Sequence, residues 1–153
     1  MPSSDVTNTM GYGGSVSGKF FITPSDALLW QGTCGRAISH YISIFDGKGQ
    51  DMIYNPGTGN YQALFSVGGF ISYQRKWLPN LSTFLSAGIA AIGNKDYQPG
   101  DAYNHSYSAS ADIFWEVIDG ARLGFEYVFG SRIDKDGSTG TANRIWILVY
   151  YDF

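Results

Sequence analysis

Long apolar runs, charge and cysteine are all scarce in this sequence. No window approaches the roughly 18 to 20 consecutive apolar residues that a membrane-spanning helix requires. Only 15% of the 153 residues are charged, which excludes a surface-charged soluble helix bundle. The net charge of −3 argues against a nucleic-acid partner, because phosphates call for a basic surface. Cys34 is the single cysteine, so it cannot form an internal disulfide and is more typical of a small apolar strand residue.

Glycine and aromatic residues are abundant instead. The chain holds 20 glycines, its aromatic content is 16%, and its mean hydropathy is −0.12. Tight turns need glycine, and membrane strands that end in aromatic rims need Trp and Tyr. The composition therefore favours a single all-β domain.

The last strand gives the strongest membrane signal. It runs from Ala142 to Phe153, and every second residue is apolar: Ile145, Ile147, Val149, Tyr151 and Phe153. A period of two places these side chains on one face of a strand. We expect that face to meet lipid in a transmembrane β-barrel. A final strand closed by Phe is typical of bacterial outer-membrane proteins, so the barrel-assembly machinery and outer-membrane lipid are the expected partners.

Alternation predicts an antiparallel meander of seven strands, or eight if the amino terminus supplies one. The strands are expected over residues 11–22, 27–35, 61–77, 81–93, 106–117, 122–130 and 142–153. Short turns such as Asp119-Gly120 alternate with long loops near 44–59, 94–104 and 134–141. This asymmetry between short turns and long loops is typical of outer-membrane barrels.

Residues 1–10 are predicted to be a polar extension before a barrel segment over 11–153. They have no basic region followed by an apolar region, so they are not a secretory signal peptide, and only Val6 and Met10 are apolar candidates for an eighth strand. Single-chain bacterial barrels normally have an even strand number. We therefore expect this chain to be the carboxy-terminal portion of a larger barrel, completed by deleted sequence, by the same chain in an oligomer, or by a short strand from residues 1–10. Because an outer-membrane protein needs a signal peptide, we expect a processed or engineered form or the tail of a longer protein.

A soluble barrel is the main structural alternative. Its strands would also alternate, but its apolar face would lie inside and its charges outside. Here the polar face is mostly Ser, Gly, Gln and Thr, as along Ser106, Ser108 and Ser110, which suits a wet lumen better than a solvent-exposed exterior. A soluble ligand-binding barrel and a small closed outer-membrane barrel with a structural or adhesive role both stay open.

Several segments resemble a known family of channels. The quoted stretches are Gly69 to Leu81, Ile113 to Trp115, Gly124 to Gly130, Lys135 to Gly140 and Ala142 to Ile145. In this order they resemble the carboxy-terminal half of the DcaP-like porins. The resemblance implies a 16-stranded, trimeric diffusion porin of the Gram-negative outer membrane that prefers anionic solutes such as dicarboxylates.

A porin needs a polar lumen and an electric field rather than a catalytic residue. No phosphate-binding glycine loop or Walker pattern is present, which predicts passive diffusion with no cofactor and no metal. The charges predicted by strand parity to line the pore are Arg122, Arg132, Arg144, Asp112, Glu116 and Glu126, and Arg36 is added because it lies near the mouth of its strand. Two interpretations stay open: Arg36, Arg132 and Arg144 attract anions, or they pair with Glu126 and loop carboxylates as struts across the lumen.

The remaining predictions concern aromatic, histidine and acidic residues. Outward aromatic side chains are expected to form membrane-interface girdles: Trp30, Tyr73, Trp77, Trp115, Tyr127, Tyr151 and Phe153.

His40 and His105 lack a nucleophile motif, which disfavours an enzyme. Asp134 to Gly137 resembles the start of a calcium loop, but the closing Glu is missing, so a hairpin turn is favoured.

Overall fold

The computed structural model describes residues 9–45 and 49–152, and one antiparallel sheet dominates it. Seven strands form this sheet in the order β1-β2-β5-β6-β7-β8-β9. Their bounds are β1 (Tyr12–Phe21), β2 (Asp26–Arg36), β5 (Phe65–Leu78), β6 (Leu81–Gly93), β7 (Tyr103–Ile118), β8 (Ala121–Asp134) and β9 (Thr139–Tyr151). The predicted seven-stranded meander is confirmed. In the described ranges no helix is long and apolar enough to cross a bilayer.

A separate two-stranded hairpin lies between β2 and β5, in a region predicted to be a loop followed by a strand. It consists of β3 (Met52–Asn55) and β4 (Asn60–Ala63). The predicted third strand over 61–77 is therefore wrong at its start, because Leu64 interrupts it. Leu64 is only 1% exposed, and its N–H donates to the Asp51 carbonyl at 2.9 Å, which turns the backbone away from the large sheet.

The two later loops are shorter than predicted. β7 already begins at Tyr103, and only residues 135–138 separate β8 from β9. Asp134 accepts the N–H of Gly137 and donates its own N–H to Ser138, so this connection is a hairpin turn. The left-handed φ of 88° at Gly137 explains the glycine there.

Alternation along the strands gives the sheet two chemically different faces. The apolar face carries Ile71, Ile89 and Phe125, and its Ile147 is 79% exposed. The polar face carries a row in which Ser72, Ser86 and Ser110 stand side by side on β5, β6 and β7. Tyr127 and Ile147 belong to the apolar face and Glu126 to the polar face, as the sequence predicts.

The sheet is open at both edges. Within the described residues β1 pairs with β2 alone, and β9 pairs with β8 alone. A small barrel closed by this chain itself would need a β1–β9 ladder, and the described strands do not form one. Residues 1–8, which include most of the candidate eighth strand, lie outside the described part of the chain.

Candidate functional site

An inserted segment, residues 38–63, connects β2 to β5, and its described residues, 38–45 and 49–63, lie over the polar face of the sheet. It leaves β2 at Ala37, whose φ of 52° is left-handed, and the Ala37 N–H donates to the Leu64 carbonyl at 3.0 Å. Two short 3-10 turns follow, Ser39–Tyr41 and Ser43–Phe45. The Ser39 N–H donates to Asp51 Oδ1 at 2.7 Å, which ties the start of the segment to the residue before the hairpin. These hydrogen bonds hold the two ends of the segment close together where it joins β2 and β5.

Apolar contacts hold the inserted segment against the sheet. Ile42, Phe45 and Leu64 form a buried cluster with residues of β6 and β7, namely Ala90, Ile92 and Tyr103. The Phe45 and Tyr103 rings meet edge to face with centroids 5.0 Å apart. The chain's buried core therefore lies between this segment and the polar face.

Gly68 on β5 provides the close approach that this packing requires. A Cβ added at Gly68 would lie 2.6 Å from the Ile42 Cγ2 atom. The packing of the inserted segment could not be predicted, because local patterns do not report contacts between distant residues. The local signal that could have indicated it is the apolar group of Ile38, Ile42, Ile44 and Phe45 directly before a turn-rich stretch.

Hydroxyl groups cover much of the remaining polar face. Ser15 and Thr33 are hydrogen-bonded at 2.8 Å between β1 and β2, and Ser72 and Ser86 at 2.8 Å between β5 and β6. Such paired hydroxyls satisfy one another and still accept or donate further hydrogen bonds to water. This part of the sheet is therefore compatible with contact to an aqueous path.

Arg132 is held by groups at the long-loop end of the sheet. Its Nε donates to Asp134 Oδ1 at 2.6 Å, and its NH2 group donates to the Asp101 carbonyl at 3.1 Å. Its guanidinium also lies 5.6 Å from the centroid of the Tyr103 ring. The charge of Arg132 is therefore paired, but with a carboxylate two residues along its own strand, so a strut across the lumen stays a prediction.

Arg122 and Arg144 differ in their partners. Arg122 pairs with Asp152 at 3.3 Å and lies 5.5 Å from the centroid of the Tyr150 ring. Arg144 lies 5.3 Å from the centroid of the Trp146 ring, and it has no carboxylate within 4.0 Å among the residues that the structure describes. Of these two arginines, Arg144 is the one whose charge is left without an ion pair.

The prediction that Arg36 lines the polar face is wrong. Its register partner on β5 is Phe65, and it shares the parity of Trp30 and Cys34, which belong to the apolar face. Arg36 therefore lies on the opposite face of the sheet from Arg132 and Arg144.

The three predicted acidic residues all lie on the polar face. Asp112 stands opposite Glu126 on β7 and β8, and Glu116 stands opposite Arg122. Glu126 is also opposite Trp146 on β9. The predicted polar-face charges thus occur together on β7, β8 and β9.

Comparisons with known proteins agree with this geometry. The chain resembles a solved structure, the outer membrane channel DcaP of Acinetobacter baumannii, with a TM-score of 0.77 and 21% sequence identity over 94% of this chain. It has the fold of an outer-membrane channel. The match spans 41% of the length of that channel. No family model and no curated protein sequence matches the chain.

In this channel fold the predicted girdle residues share the apolar face. The register places five of them there: Trp30, Tyr73, Trp115, Tyr127 and Tyr151. Trp77 lies at an irregularity of the β5–β6 ladder, and its Nε1 donates to Thr83 of the same face at 3.0 Å. Phe153 lies outside the described residues. Their membrane depth stays a prediction.

A polar cluster on the apolar face was not foreseen. Asp26 and Arg75 form an ion pair at 2.9 Å beside the short turn between β1 and β2. The Tyr73 hydroxyl also donates to Asp26, and the Arg75 guanidinium lies 4.6 Å from the centroid of the Trp77 ring. Because this cluster lies at a strand end, it suits the headgroup region of a bilayer.

Lys135, in the turn between β8 and β9, binds the loop between β6 and β7. Its ammonium group donates to the carbonyls of Lys95, Asp96 and Gln98 at 2.8, 2.8 and 2.7 Å.

In the same turn, hydrogen bonds from Ser138 hold the pKa of the Asp136 carboxyl below its usual range. In the described ranges no group of side chains could hold a metal ion.

The histidines do not assemble a catalytic group. His105 lies on the apolar face beside Tyr107, with ring centroids 5.3 Å apart, whereas the neighbouring Ser106 lies on the polar face. His40 lies in the inserted segment with its Nδ1 3.5 Å from Asp51 Oδ1.

Proposed function

We propose that this chain forms part of the wall of a porin that allows passive diffusion of small hydrophilic solutes across the Gram-negative outer membrane. The observation that carries the proposal is the sidedness of the sheet. Isoleucine, phenylalanine and tryptophan side chains stay exposed over the apolar face, which suits lipid, while the other face carries most of the hydroxyls and charges together with some aromatic side chains such as Phe70 and Trp146. A soluble protein would have to bury that apolar face.

The open edges support a barrel completed by further strands. Unpaired backbone groups in lipid cost several kcal/mol each, so neither edge strand could lie in a bilayer without a partner strand. Six successive antiparallel pairings make β1 and β9 run in the same direction, and an antiparallel closure then needs an odd number of added strands. Seven strands over 41% of a channel's length suit a barrel of about 16 strands. We propose that the complete protein assembles as a homotrimer through the barrel-assembly machinery.

We further propose that the passage prefers anions such as dicarboxylates, and that Arg144 contributes most to this preference. Its guanidinium lies on the polar face with no carboxylate within 4.0 Å in the described structure and has Glu126, on the neighbouring strand, as a more distant electrostatic partner, whereas Arg122 and Arg132 form close ion pairs with Asp152 and Asp134. A charge without a close ion pair on a lumen wall attracts counter-ions more strongly than one in contact with a carboxylate.

We expect the complete protein to give stepwise conductance in planar bilayers, and Arg144→Gln to lower the anion-to-cation permeability ratio about two-fold, as for loss of one lumenal charge. Reversal potentials in a salt gradient measure this ratio. Arg36→Gln is the matched control on the apolar face and should leave the ratio unchanged.

Two outcomes count against these proposals. An absence of conductance steps would favour a plugged barrel with a structural or adhesive role. Steps with the same reversal potential in Arg144→Gln and wild type would reject the role of Arg144 and retain the channel.

A further inference from the structure

A cleft lies on the polar face near the short turns that follow β5 and β7. Its volume is about 470 Å³, within the range of roughly 300 to 1,000 Å³ that is common for small-molecule sites. The lining includes three aromatic residues, Phe84, Phe114 and Tyr150. It is separated from the inserted segment, which covers the opposite end of the same face.

The aromatic residues form a continuous floor. Phe84 and Phe114 meet edge to face with centroids 5.8 Å apart, and the Phe114 and Tyr150 centroids are 6.1 Å apart. The Phe114 ring covers Gly124, since a Cβ added there would lie 2.6 Å from the Phe114 Cε1 atom. A bulkier residue at position 124 would therefore displace the ring from the wall.

Hydrogen-bonding groups surround this floor. Gln74 stands opposite Phe84, and Lys76 stands opposite Ser82 on the neighbouring strand. Glu116 and Arg122 face each other at the other side of the cleft. The rim therefore offers both donors and acceptors within reach of the rings.

The charges around the cleft cancel only in part. Arg122 is paired with Asp152 at 3.3 Å and stands opposite Glu116, Lys76 lines the cleft, and the Lys19 ammonium group donates to the lining residue Gln74 at 3.2 Å. The cations lie at the rim and the centre of the cleft is aromatic.

The rings of the floor are tilted to one another, by 85° between Phe84 and Phe114 and by 53° between Phe114 and Tyr150, so they offer separate faces and not one flat surface. Several such faces with a mixed polar rim fit a ligand built of more than one ring, each apolar on its face and hydroxylated at its edge.

We propose that this cleft binds an oligosaccharide, with separate pyranose rings packed against Phe114 and against the face of Tyr150 that the Arg122 guanidinium leaves open, and with hydroxyls bonded to Gln74, Glu116 and Arg122. The C–H groups of a pyranose face carry partial positive charge, and aromatic faces are negative, so stacking is favourable. The inference rests on the proposed porin function, because the cleft must face a water-filled path. The anion preference assigned to Arg144 is a separate property, since that residue does not line the cleft.

Two measurements on the complete protein test the proposal: calorimetric titration of the detergent-solubilised protein with maltotriose, and maltotriose block of its current in planar bilayers. We expect saturable binding in both. Tyr150→Ala should weaken binding about ten-fold, as for loss of one stacking ring, and Tyr150→Phe should retain it. Tyr127→Ala, on the apolar face, is the matched control and should bind like wild type.

The possible failures are distinguishable. Binding in the calorimeter without channel activity would reject the porin function and retain the cleft. Channel activity with no maltotriose binding, or with succinate binding at the cleft in its place, would overturn the saccharide assignment. Equal affinity in Tyr150→Ala and wild type would overturn the role of the aromatic floor. If Tyr150→Ala does not fold, Tyr150→Phe is measured in its place, and loss of binding in that variant would contradict the stacking.

Discussion

Replacing residues 38–63 by two glycines is expected to raise the single-channel conductance of the complete protein about two-fold or more, because the inserted segment occupies part of the path. The chain can be rejoined there, since the Ala37 N–H already bonds the Leu64 carbonyl at 3.0 Å. Planar-bilayer recording measures the effect.

A smaller deletion provides the control. Replacing only the hairpin, residues 52–63, by two glycines keeps Ile42 and Phe45 against the sheet, and the Asp51 carbonyl lies next to the Leu64 N–H at 2.9 Å. We expect this variant to change conductance much less. If the two deletions raised conductance equally, the hairpin and not the packed part of the segment would narrow the path.

Ile147→Arg is expected to prevent stable insertion of the complete protein into membranes. Ile147 lies within β9 on the apolar face and is 79% exposed, so its replacement would place a charge in lipid. Such a charge costs roughly 2–4 kcal/mol near the bilayer midplane. Membrane fractionation, together with heat-modifiable migration on gels, measures the folded and inserted fraction.

Leu148→Arg is the matched control, one residue along the same strand. Leu148 stands opposite Gly124 on the polar face, so the new charge would meet water. We expect this variant to insert nearly as well as wild type. Equal loss of insertion in both variants would contradict the assignment of the two faces.

Local alternation was enough to predict most of the sheet. Along β7 and β8, Tyr107, Ile113 and Phe125 recur at the period that defines a face, and the period depends only on neighbouring residues. The faces of these strands could therefore be read from sequence. The strand ends were less accurate, because residues such as Tyr103 and Thr139 pair only where a partner strand continues.

The site could be predicted only in part. Arg122, Arg132 and Arg144 were assigned to the polar face by parity, but whether each is paired depends on Asp152, Asp134 and the loop folds. Arg36 was assigned by its nearness to a strand end, although the parity of its own strand already pointed to the other face. The inserted segment depends on contacts such as Phe45 with Tyr103, which no local pattern contains.

The most direct test of the central claim is thiol labelling of neighbouring positions on β8 in cells. In a Cys34→Ser background, single cysteines at Phe125, Glu126, Tyr127 and Val128 alternate between the two faces. A cysteine at Ser138, in the turn, serves as a labelling control. If the apolar face meets lipid and the polar face meets water, a membrane-impermeant maleimide labels positions 126 and 128 and leaves 125 and 127 unlabelled. Labelling of 125 and 127 with protection of 126 and 128 would contradict this assignment, because the apolar face would then meet water.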